Sequence, residues 1–476
     1  MKRIMIFMVV ISLWELDTSF ADGWQRTYGG MRSDFGYSVA QTTDGGYIIV
    51  GYTESFGAGQ DIYIIKTDSI GDTLWTRTYG GSYDDCGRSV AQTTDSGYII
   101  VGDKWTYVAS TLDCDVYLIK INAYGDTLWT QTYGGSNWDY GRSVAQTTDG
   151  GYIIAGETRS LGDTLGDIYL IKTNSIGNIL WTHTYGGIKW DCSYSVAQTT
   201  DGGYIIAGVT GSFGAGGGDV YLIKTDAYGD TLWTQTYGGI HSDAGHSVAQ
   251  TIDGGYIIVG YTESFGAGAS DIYLIKTDAY GDTLWTQIYG RRQSDFGFSV
   301  TQTTDVGYII VGDTWSFGAS APDIYLIKTN AYGDMLWIRT HGGSDWSFGR
   351  SVAQTTDGGY IIAGATGPFG ADCDVYLIKT DSLGYTKIKE TPSHKFTNIS
   401  ITISPNPFNS SCEIIIKAKA KVEIYDLRGN VMLNRTLQDV NNKIIWTPDN
   451  SIPSGIYFVK AIAGKQIVTQ RIFLIR

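Results

Sequence analysis

Aspartates recur at two places in the repeating sequence, and carboxylates are side chains that can bind cations or transfer protons. The first column is Asp34, Asp85, Asp139, Asp191, Asp243 and Asp295, with Ser347 in the seventh position. The second column is Asp61, Asp115, Asp167, Asp219, Asp271, Asp323 and Asp374. One Asp per repeat separates the charges widely, and no Asp-x-Asp-x-Asp-Gly calcium loop is present. We therefore expect turn capping and ion pairs, and we predict no metal site.

Residues that break the repeat are better candidates for chemistry, because an active site normally breaks symmetry. His241, Asp243 and His246 could ligate a metal, but a solvated loop is the simpler interpretation. Arg291 and Arg292 replace a glycine and its neighbour and could bind an anion. The chain has 5 His and lacks a nucleophile elbow, an HExxH motif and a phosphate-binding glycine loop. We predict no catalytic set and no cofactor.

The repeat determines the architecture. The block SVAQTTDGGYIIVGYT, followed by DIYLIKTD and GDTLWTQTYGG, recurs seven times before about residue 390. Its most regular marker is a tryptophan, and successive markers are 51 to 54 residues apart. The markers are Trp24, Trp75, Trp129, Trp181, Trp233, Trp285 and Trp337. A period of this size indicates a repeat fold.

Each unit predicts four short strands, which in the first unit are 38–43, 47–53, 61–67 and 72–79. Gly and Asp in the turns favour tight hairpins. Strands two and three are apolar without strict alternation, so both faces of each sheet must be covered. Radial stacking of four-stranded sheets achieves this. We therefore predict an all-β chain with a seven-bladed β-propeller over residues 22–390.

The strand count predicts how the ring closes. The small side chains of SVAQTT suit the crowded axis, so strand one should be innermost. Seven sets of strands one to three are present, but a seventh Trp-bearing strand exists only if residues 24–28 are included. That segment would complete the last blade, and the degenerate copy at 385–389 is the alternative.

The segments Tyr-Ile-Ile-Val-Gly, Asp-Ile-Tyr-Leu-Ile-Lys and Leu-Trp-Thr resemble kelch-like and related bacterial propeller repeats, over about three quarters of the chain. Residues 226–233 are also similar to the tryptophan motif of quinoprotein propellers, although one residue shorter between Asp and Gly. These motifs specify blades, and blades host many unrelated activities.

The loops on one face of the ring vary between repeats, and binding sites on repeat folds tend to lie where loops vary. The variable segments are 31–33, 136–138, 188–190, 291–293 and the longer insertion at 104–114. Candidate ligand-binding residues on this face are Phe35, Trp138, Tyr140, Trp190, Phe296, Trp346, Phe348, Arg291 and Arg292. The aromatic rings could stack on sugars or contact a protein, or they could cover the blade interfaces.

Two functions remain open from these residues. The first is a binding protein for a protein, glycan or other extracellular ligand. The second is a polysaccharide hydrolase or lyase that uses unpaired carboxylates such as Glu54, Glu157 or Glu263. Glu54 and Glu263 lie in identical Tyr-Thr-Glu-Ser loops, which favours a structural role.

The first 21 residues predict a signal peptide. Lys2 and Arg3 precede an apolar run at 4–13, and residues 19–21 have the small-x-small form of a cleavage site. The run is too short to span a bilayer, so we predict no transmembrane segment in the mature chain.

The composition changes near residue 390, which predicts a linker at 391–400 and a small immunoglobulin-like β-sandwich at 401–476. The motif residues of this tail are Pro405, Asn406, Pro407, Asp426, Gly429, Gly455 and Tyr457. Their order resembles the C-terminal sorting domain of type IX secretion substrates. The resemblance implies recognition by outer-membrane secretion machinery and an extracellular or outer cell-surface location. A generic immunoglobulin-like stalk is the alternative.

The propeller region contains 21 Lys and Arg against 41 Asp and Glu. This acidic balance argues against nucleic acid as a partner. The 5 cysteines permit at most two internal disulfides. Cys86 and Cys114 lie in loops on one face of the same blade, and we hypothesise a bridge between them in an oxidising compartment.

Overall fold

The computed structural model describes residues 23–108, 111–162, 165–317, 321–368, 372–386, 401–416, 420–427, 429–437, 442–463 and 466–476. The predicted signal peptide (1–21) and linker (391–400) lie outside these ranges. All elements of regular secondary structure within these ranges are β-strands. The described residues therefore contain no helix that could cross a bilayer. The chain divides into two compact units between residues 388 and 389.

The first unit consists of seven antiparallel four-stranded sheets, which are the blades of the predicted propeller. A separate strand, β1 (Trp24–Tyr28), comes first in the chain. Blade 1 contains β2 (Asp34–Gln41), β3 (Tyr47–Thr53), β4 (Asp61–Thr67) and β5 (Thr73–Tyr79). Blade 2 contains β6 (Cys86–Gln92), β7 (Tyr98–Val108), β8 (Thr111–Ile121) and β9 (Thr127–Tyr133). Blade 3 contains β10 (Asp139–Gln146), β11 (Tyr152–Thr158), β12 (Asp167–Thr173) and β13 (Ile179–Tyr185).

The remaining blades repeat this plan. Blade 4 contains β14 (Asp191–Gln198), β15 (Tyr204–Thr210), β16 (Asp219–Thr225) and β17 (Thr231–Tyr237). Blade 5 contains β18 (Asp243–Gln250), β19 (Tyr256–Thr262), β20 (Asp271–Thr277) and β21 (Thr283–Tyr289). Blade 6 contains β22 (Asp295–Gln302), β23 (Tyr308–Thr314), β24 (Asp323–Thr329) and β25 (Met335–His341). Blade 7 contains β26 (Trp346–Gln354), β27 (Tyr360–Gly367), β28 (Asp374–Thr380) and β1.

Strand β1 closes the ring. It pairs antiparallel with β28, from Trp24 opposite Lys379 to Tyr28 opposite Val375. The prediction that residues 24–28 complete the last blade is therefore confirmed, and the alternative at 385–389 is wrong. Tyr385 belongs instead to a turn, where its carbonyl accepts a hydrogen bond from the Asp381 amide.

In blade 1 the strand limits follow the predicted ones to within one residue except at strand one, which spans Asp34–Gln41 rather than 38–43. It continues through a β-bulge at Tyr37, where the pairing register shifts between Gly36 and Ser38. The following hairpin turn needs a left-handed backbone, which Gly45 supplies with φ of +82°.

The inner strands join neighbouring blades through polar side chains. Each strand-one Ser accepts a hydrogen bond from a Val amide of the next blade, as Ser38 does from Val90 at 3.3 Å. A strand-one Gln likewise accepts a bond from the preceding blade's turn, as Gln92 does from the Thr43 amide at 2.8 Å. Both contacts recur at every junction, including Ser351 to Val39 and Gln41 to Thr356. The fourth strands are mostly exposed, so strand one is innermost, as predicted.

The outer strands join the blades through aromatic rings. Each marker Trp packs on a Tyr in strand two of the next blade, as Trp75 does on Tyr98 with ring centroids 6.1 Å apart. Trp24 of the closing strand makes the same contact with Tyr47, at 5.7 Å. Between the inner and outer strands, strands two and three are buried on both faces and fill shared apolar clusters.

A buried lysine pairs with a turn aspartate in every blade. Lys172, for example, lies 2.8 Å from Asp149, and its side chain is 3% exposed whereas that of Asp149 is 56% exposed. Lys172 also donates to the carbonyl of Thr173 at 2.8 Å. These ion pairs use a turn aspartate that belongs to neither of the two aspartate columns.

The second unit is a two-sheet sandwich. Its strands are β29 (Ile401–Ser404), β30 (Cys412–Ile416), β31 (Lys421–Tyr425), β32 (Val431–Thr436), β33 (Asn442–Trp446), β34 (Gly455–Ala463) and β35 (Gln466–Leu474). The sheet orders are β29-β30-β33 and β32-β31-β34-β35. Phe408, Trp446 and Tyr457 pack in the core between them.

The hypothesised disulfide is wrong, because all five cysteines are free thiols. Cys86 lies on β6 and Cys114 on β8, and β7 runs between them. Two strand spacings separate Cα atoms by about 9 to 10 Å, whereas a disulfide needs less than about 7 Å. Burial raises the pKa of Cys86 to about 12 and also raises that of Cys114, so both remain protonated thiols at neutral pH.

Candidate functional site

The axis of the ring is lined by a column of side chains that sequence reasoning missed. Each is the bulged residue of an innermost strand. The axial column is Tyr37, Arg88, Arg142, Tyr194, His246, Phe298 and Arg350. In the sequence, these seven residues occupy the one variable position directly before the constant Ser-Val. Because their side chains differ from blade to blade, they break the symmetry of the ring.

Members of the axial column contact one another across the blades. The Arg88 guanidinium lies 4.8 Å from the Tyr37 ring centroid, and that of Arg350 lies 4.0 Å from Phe298. His246 stacks on Phe298, with centroids 4.9 Å apart. Rings and guanidiniums therefore surround the axis, and they supply both apolar area and cation–π contacts.

His246 does not form a metal site with His241 and Asp243. Asp243 and His246 lie on β18, whereas His241 lies on the preceding exposed loop. His246 Nδ1 is 2.8 Å from the Gly297 carbonyl, and burial lowers the pKa of His246 to about 4. His246 is therefore neutral at neutral pH, and the expectation of a solvated loop is wrong for Asp243 and His246.

Buried carboxylates hold the axial arginines in place. Arg350 Nη1 donates to Asp313 at 2.6 Å. Between blades 2 and 3, Asp103 accepts from Arg88 Nε at 2.9 Å and lies 3.6 Å from Arg142 Nη1. Arg142 Nε is buried and has no hydrogen-bond partner. Two guanidiniums thus share one carboxylate, which leaves an excess of positive charge there.

A cleft opens beside this pair of arginines. Strands β7 and β8 are 11 residues long, whereas the corresponding strands of blade 1 have 7, so their hairpin projects from the variable face. The cleft at its base has a volume of about 410 Å³. Its lining is Gln60, Ser82, Tyr83, Asp84, Cys86, Arg88, Asp103, Trp105, Leu112 and Tyr140. We call it the hairpin cleft.

Aromatic rings form one wall of the hairpin cleft. Trp105 packs edge-on against Trp138 and Tyr140, with centroids 5.6 and 6.2 Å away. Trp138 is 38% exposed, and the Arg159 guanidinium lies 5.3 Å from its ring. Rings of this kind stack on the apolar faces of sugars or on flat side chains. The insertion at 104–114 marked this region in the sequence, but Trp105 and Arg88 were not identified as candidates.

The other candidate ligand-binding residues are distributed around the ring. Phe35 and Phe348 pack together near the axis, with centroids 6.2 Å apart, and Phe296 packs on Tyr261 at 5.3 Å. Trp190 lines a separate cleft of about 350 Å³ with Tyr194 and Tyr261. Trp346 contacts Trp315 at 5.7 Å. Arg291 and Arg292 lie on an exposed loop, where Arg291 covers Phe317 at 4.4 Å. Of this set, Tyr140 lines the hairpin cleft, and Trp138 packs against the lining residue Trp105.

The carboxylates considered for hydrolysis do not form a pair. Glu157 is 3% exposed and accepts from Arg159 Nε at 2.9 Å, so it is not the unpaired acid that was expected. Glu263 lies 3.5 Å from Ser270 Oγ. In the described part of the chain, no group of three or more His, Cys, Asp or Glu side chains is arranged to hold a metal.

The first aspartate column caps turns, as expected. Asp139 Oδ2, for example, accepts hydrogen bonds from the Gly135 amide at 2.9 Å and from Ser160 Oγ at 2.6 Å. The second column caps the loop before strand three, where Asp271 Oδ2 accepts from the Ala267 amide at 2.8 Å.

The motif residues of the tail are structural. Asn406, between Pro405 and Pro407, donates to the Arg471 carbonyl and accepts from the Phe473 amide, both at 2.9 Å. Asp426 and Gly429 form the β31–β32 turn, where Gly429 has φ of +85°. Gly455 begins β34, and the Tyr457 hydroxyl donates to the Pro453 carbonyl at 2.7 Å.

Replacing Asn406 by Ala removes both bonds between the Pro-Asn-Pro segment and β35. We expect a loss of about 1 to 2 kcal/mol in the free energy of unfolding of the tail. Urea denaturation of the isolated 401–476 fragment, followed by Trp446 fluorescence, measures it. Asn409→Ala, an exposed change nearby, is the control, and equal losses in the two variants would contradict the assignment.

The fold and the site together define a β-propeller with an attached sorting domain. Residues 402–475 match the family of secretion system C-terminal sorting domains. The tail is therefore a type IX sorting domain, which implies interaction with the secretion machinery and export to the cell surface or extracellular space.

Similarity elsewhere in the chain is weaker. A 228-residue stretch is 25% identical to the regulatory protein FlaEY of Caulobacter vibrioides and covers 41% of this chain but 24% of that protein. The chain thus spans about a quarter of this relative's length. The WD40 domain of Neurospora crassa Pan2 is 10% identical with a TM-score of 0.47, and covers 77% of this chain and 98% of that one. PorZ, a surface component of the type IX secretion system of Porphyromonas gingivalis, is 10% identical with a TM-score of 0.26. The match covers 93% of this chain and 81% of that one.

Proposed function

We propose that this secreted propeller is a binding protein that takes an acidic carbohydrate in the hairpin cleft. The observation that carries the proposal is the combination of Trp105 and Tyr140 with Arg88 in one cleft. Aromatic rings provide stacking area for sugar faces, and guanidinium groups pair with carboxylates.

The charge distribution supports an acidic ligand over a neutral one. The propeller as a whole is strongly acidic, with 21 Lys and Arg against 41 Asp and Glu. Around Asp103, which lines the cleft together with Asp84 and Arg88, the balance is locally reversed, because Arg88 and Arg142 share this one carboxylate. A carboxylate on the ligand would supply the second negative charge and accept hydrogen bonds from the partly exposed guanidinium of Arg88.

Replacing Trp105 by Ala removes stacking area from the cleft, and we expect affinity to fall about tenfold or more. Calorimetric titration of the full secreted chain with oligogalacturonate measures this, with a neutral cello-oligosaccharide as the comparison ligand. Trp315→Ala is the matched control, because Trp315 occupies the equivalent repeat position in blade 6, directly after β23, and packs on Trp346 as Trp105 does on Trp138.

The outcomes of this titration test the location of the binding site, the preference for an acidic ligand and the alternative enzyme function. Equal loss in the two Trp variants, or equal affinity for acidic and neutral oligosaccharides, would contradict the assignment to the hairpin cleft. Release of reducing ends during the titration would favour the polysaccharide hydrolase or lyase instead.

A further inference from the structure

On the variable face, six blade junctions bring a carboxylate of one blade against a carboxylate of the next. The pairs are Asp61 and Asp85, Asp115 and Asp139, Asp167 and Asp191, Asp219 and Asp243, Asp271 and Asp295, and Asp374 and Asp34. Between blades 5 and 6, Asp271 Oδ1 and Asp295 Oδ2 lie 1.9 and 2.8 Å from the position that a Cβ on Gly290 would occupy. The two oxygens are thus less than about 5 Å apart, where like charges oppose each other's ionisation.

All of these carboxylates except Asp115 and Asp374, which are half-buried, are buried, and some of the buried oxygens have no hydrogen-bond donor. Asp271 and Asp85 are each 1% exposed, and neither Asp271 Oδ1 nor Asp85 Oδ2 accepts a hydrogen bond. Their second oxygens are held by backbone amides, Ala267 to Asp271 and Trp105 to Asp85. In Asp271 and Asp85 the unpartnered oxygen is therefore fixed facing the carboxylate of the neighbouring blade. Burial, and then the charge of Asp61, raise the pKa of Asp85 to about 6.

The seventh junction provides an internal comparison. Ser347 replaces the strand-one aspartate there, and the Gly343 amide donates to Asp323 Oδ1 at 3.0 Å. Between blades 5 and 6, the amide of Arg291 donates instead to Asp295 Oδ2, also at 3.0 Å. The protein itself therefore satisfies the strand-three carboxylate where the second carboxylate is absent. Between blades 5 and 6, where both carboxylates are present, Asp271 Oδ1 has no hydrogen-bond donor.

We propose that these carboxylate pairs bind calcium ions at the blade junctions. Calcium binds oxygen ligands at 2.3–2.6 Å, so one ion can bridge two oxygens that are up to about 5 Å apart. Each pair supplies only two side chains, so backbone carbonyls and water complete the coordination. Extracellular modules of this kind have dissociation constants of about 10⁻⁴ to 10⁻³ M. A bound ion would link strand three of one blade to strand one of the next.

Metal analysis of the full secreted chain tests the proposal. The protein is treated with EGTA, dialysed against millimolar CaCl₂ or MgCl₂, and analysed for bound metal and for Tm. We expect several bound calcium ions per chain, and a Tm that rises more with CaCl₂ than with MgCl₂. Asp271→Asn should lose one ion, whereas the matched control Asp323→Asn should lose none. Ser347→Asp recreates a pair at the seventh junction and should gain one ion.

Two results would overturn the proposal. The first is a chain that binds no calcium at millimolar concentration and shows no change in Tm, in which case the pairs share protons instead. The second is an equal change in bound calcium for Asp271→Asn and Asp323→Asn. Circular dichroism of each variant separates loss of the ion from loss of the fold, and Ser347→Asp gives a gain that misfolding cannot imitate.

Discussion

Replacing residues 24–28 by a Gly-Ser segment of the same length is expected to open the ring. The change removes the five paired residues that join β1 to β28 and the contact of Trp24 with Tyr47. Backbone hydrogen bonds contribute about 1 kcal/mol each, so we expect the free energy of unfolding to fall by about 5 kcal/mol. Urea denaturation of the propeller, followed by tryptophan fluorescence, measures the loss.

A peptide with the sequence of residues 23–30 provides the control for this experiment. Added in excess to the altered chain, it should pair with β28 and restore part of the lost stability, whereas a scrambled peptide should not. Stability that is unchanged by the substitution would mean that the blades hold together without the closing strand.

Removing the charge of a turn aspartate is expected to destabilise a blade far more than removing the lysine that it pairs with. Asp149→Asn keeps acceptors for Thr147 and Gly151, but it leaves the buried Lys172 ammonium without its counter-ion. An unpaired buried charge of this kind costs about 3 to 5 kcal/mol. Lys172→Met leaves Asp149 in contact with solvent and should cost about 1 kcal/mol or less. Urea denaturation of both variants measures the asymmetry, and equal losses would contradict it.

The same pair predicts how stability depends on pH. Partial burial acts to raise the pKa of Asp149, but hydrogen bonds from Lys172 and Thr147 outweigh it and lower the pKa to about 2. The folded-state pKa lies below the unfolded value of about 3.9, so this stabilisation is present above about pH 4. It is lost as the pH falls toward 2. Asp149→Asn should lack this part of the acid transition, whereas wild type should show it.

Much of the propeller could be predicted because the repeat constrains it so strongly. The seven tryptophans gave the number of blades, and the missing fourth strand identified Trp24–Tyr28 as the closing segment. Strand limits were less accurate at β2, because the bulge at Tyr37 lets the strand continue past an irregular residue. A bulge leaves no regular alternation in the sequence, so hydrophobic periodicity does not reveal it.

The candidate site was harder to predict than the fold. Trp138 and Tyr140 were identified because they interrupt a repeated loop, but Arg88 and Trp105 of blade 2 become neighbours of Tyr140 only when blades 2 and 3 pack together. The paired aspartates illustrate the same limit. Asp271 and Asp295 belong to different blades, and each appears alone in the sequence. The proposed disulfide failed for a related reason, because loops on a common face can still be separated by an intervening strand.

The closing strand makes the fold depend on synthesis of the whole propeller. Gln25 and Tyr376 are hydrogen-bonded across 351 residues, so β1 has no partner until nearly all of the ring has been made. A prematurely terminated polypeptide would retain an unsatisfied edge on its last blade, and such edges are where proteases and aggregation act. Only chains whose translation has reached the last blade can therefore close the ring and cover this edge.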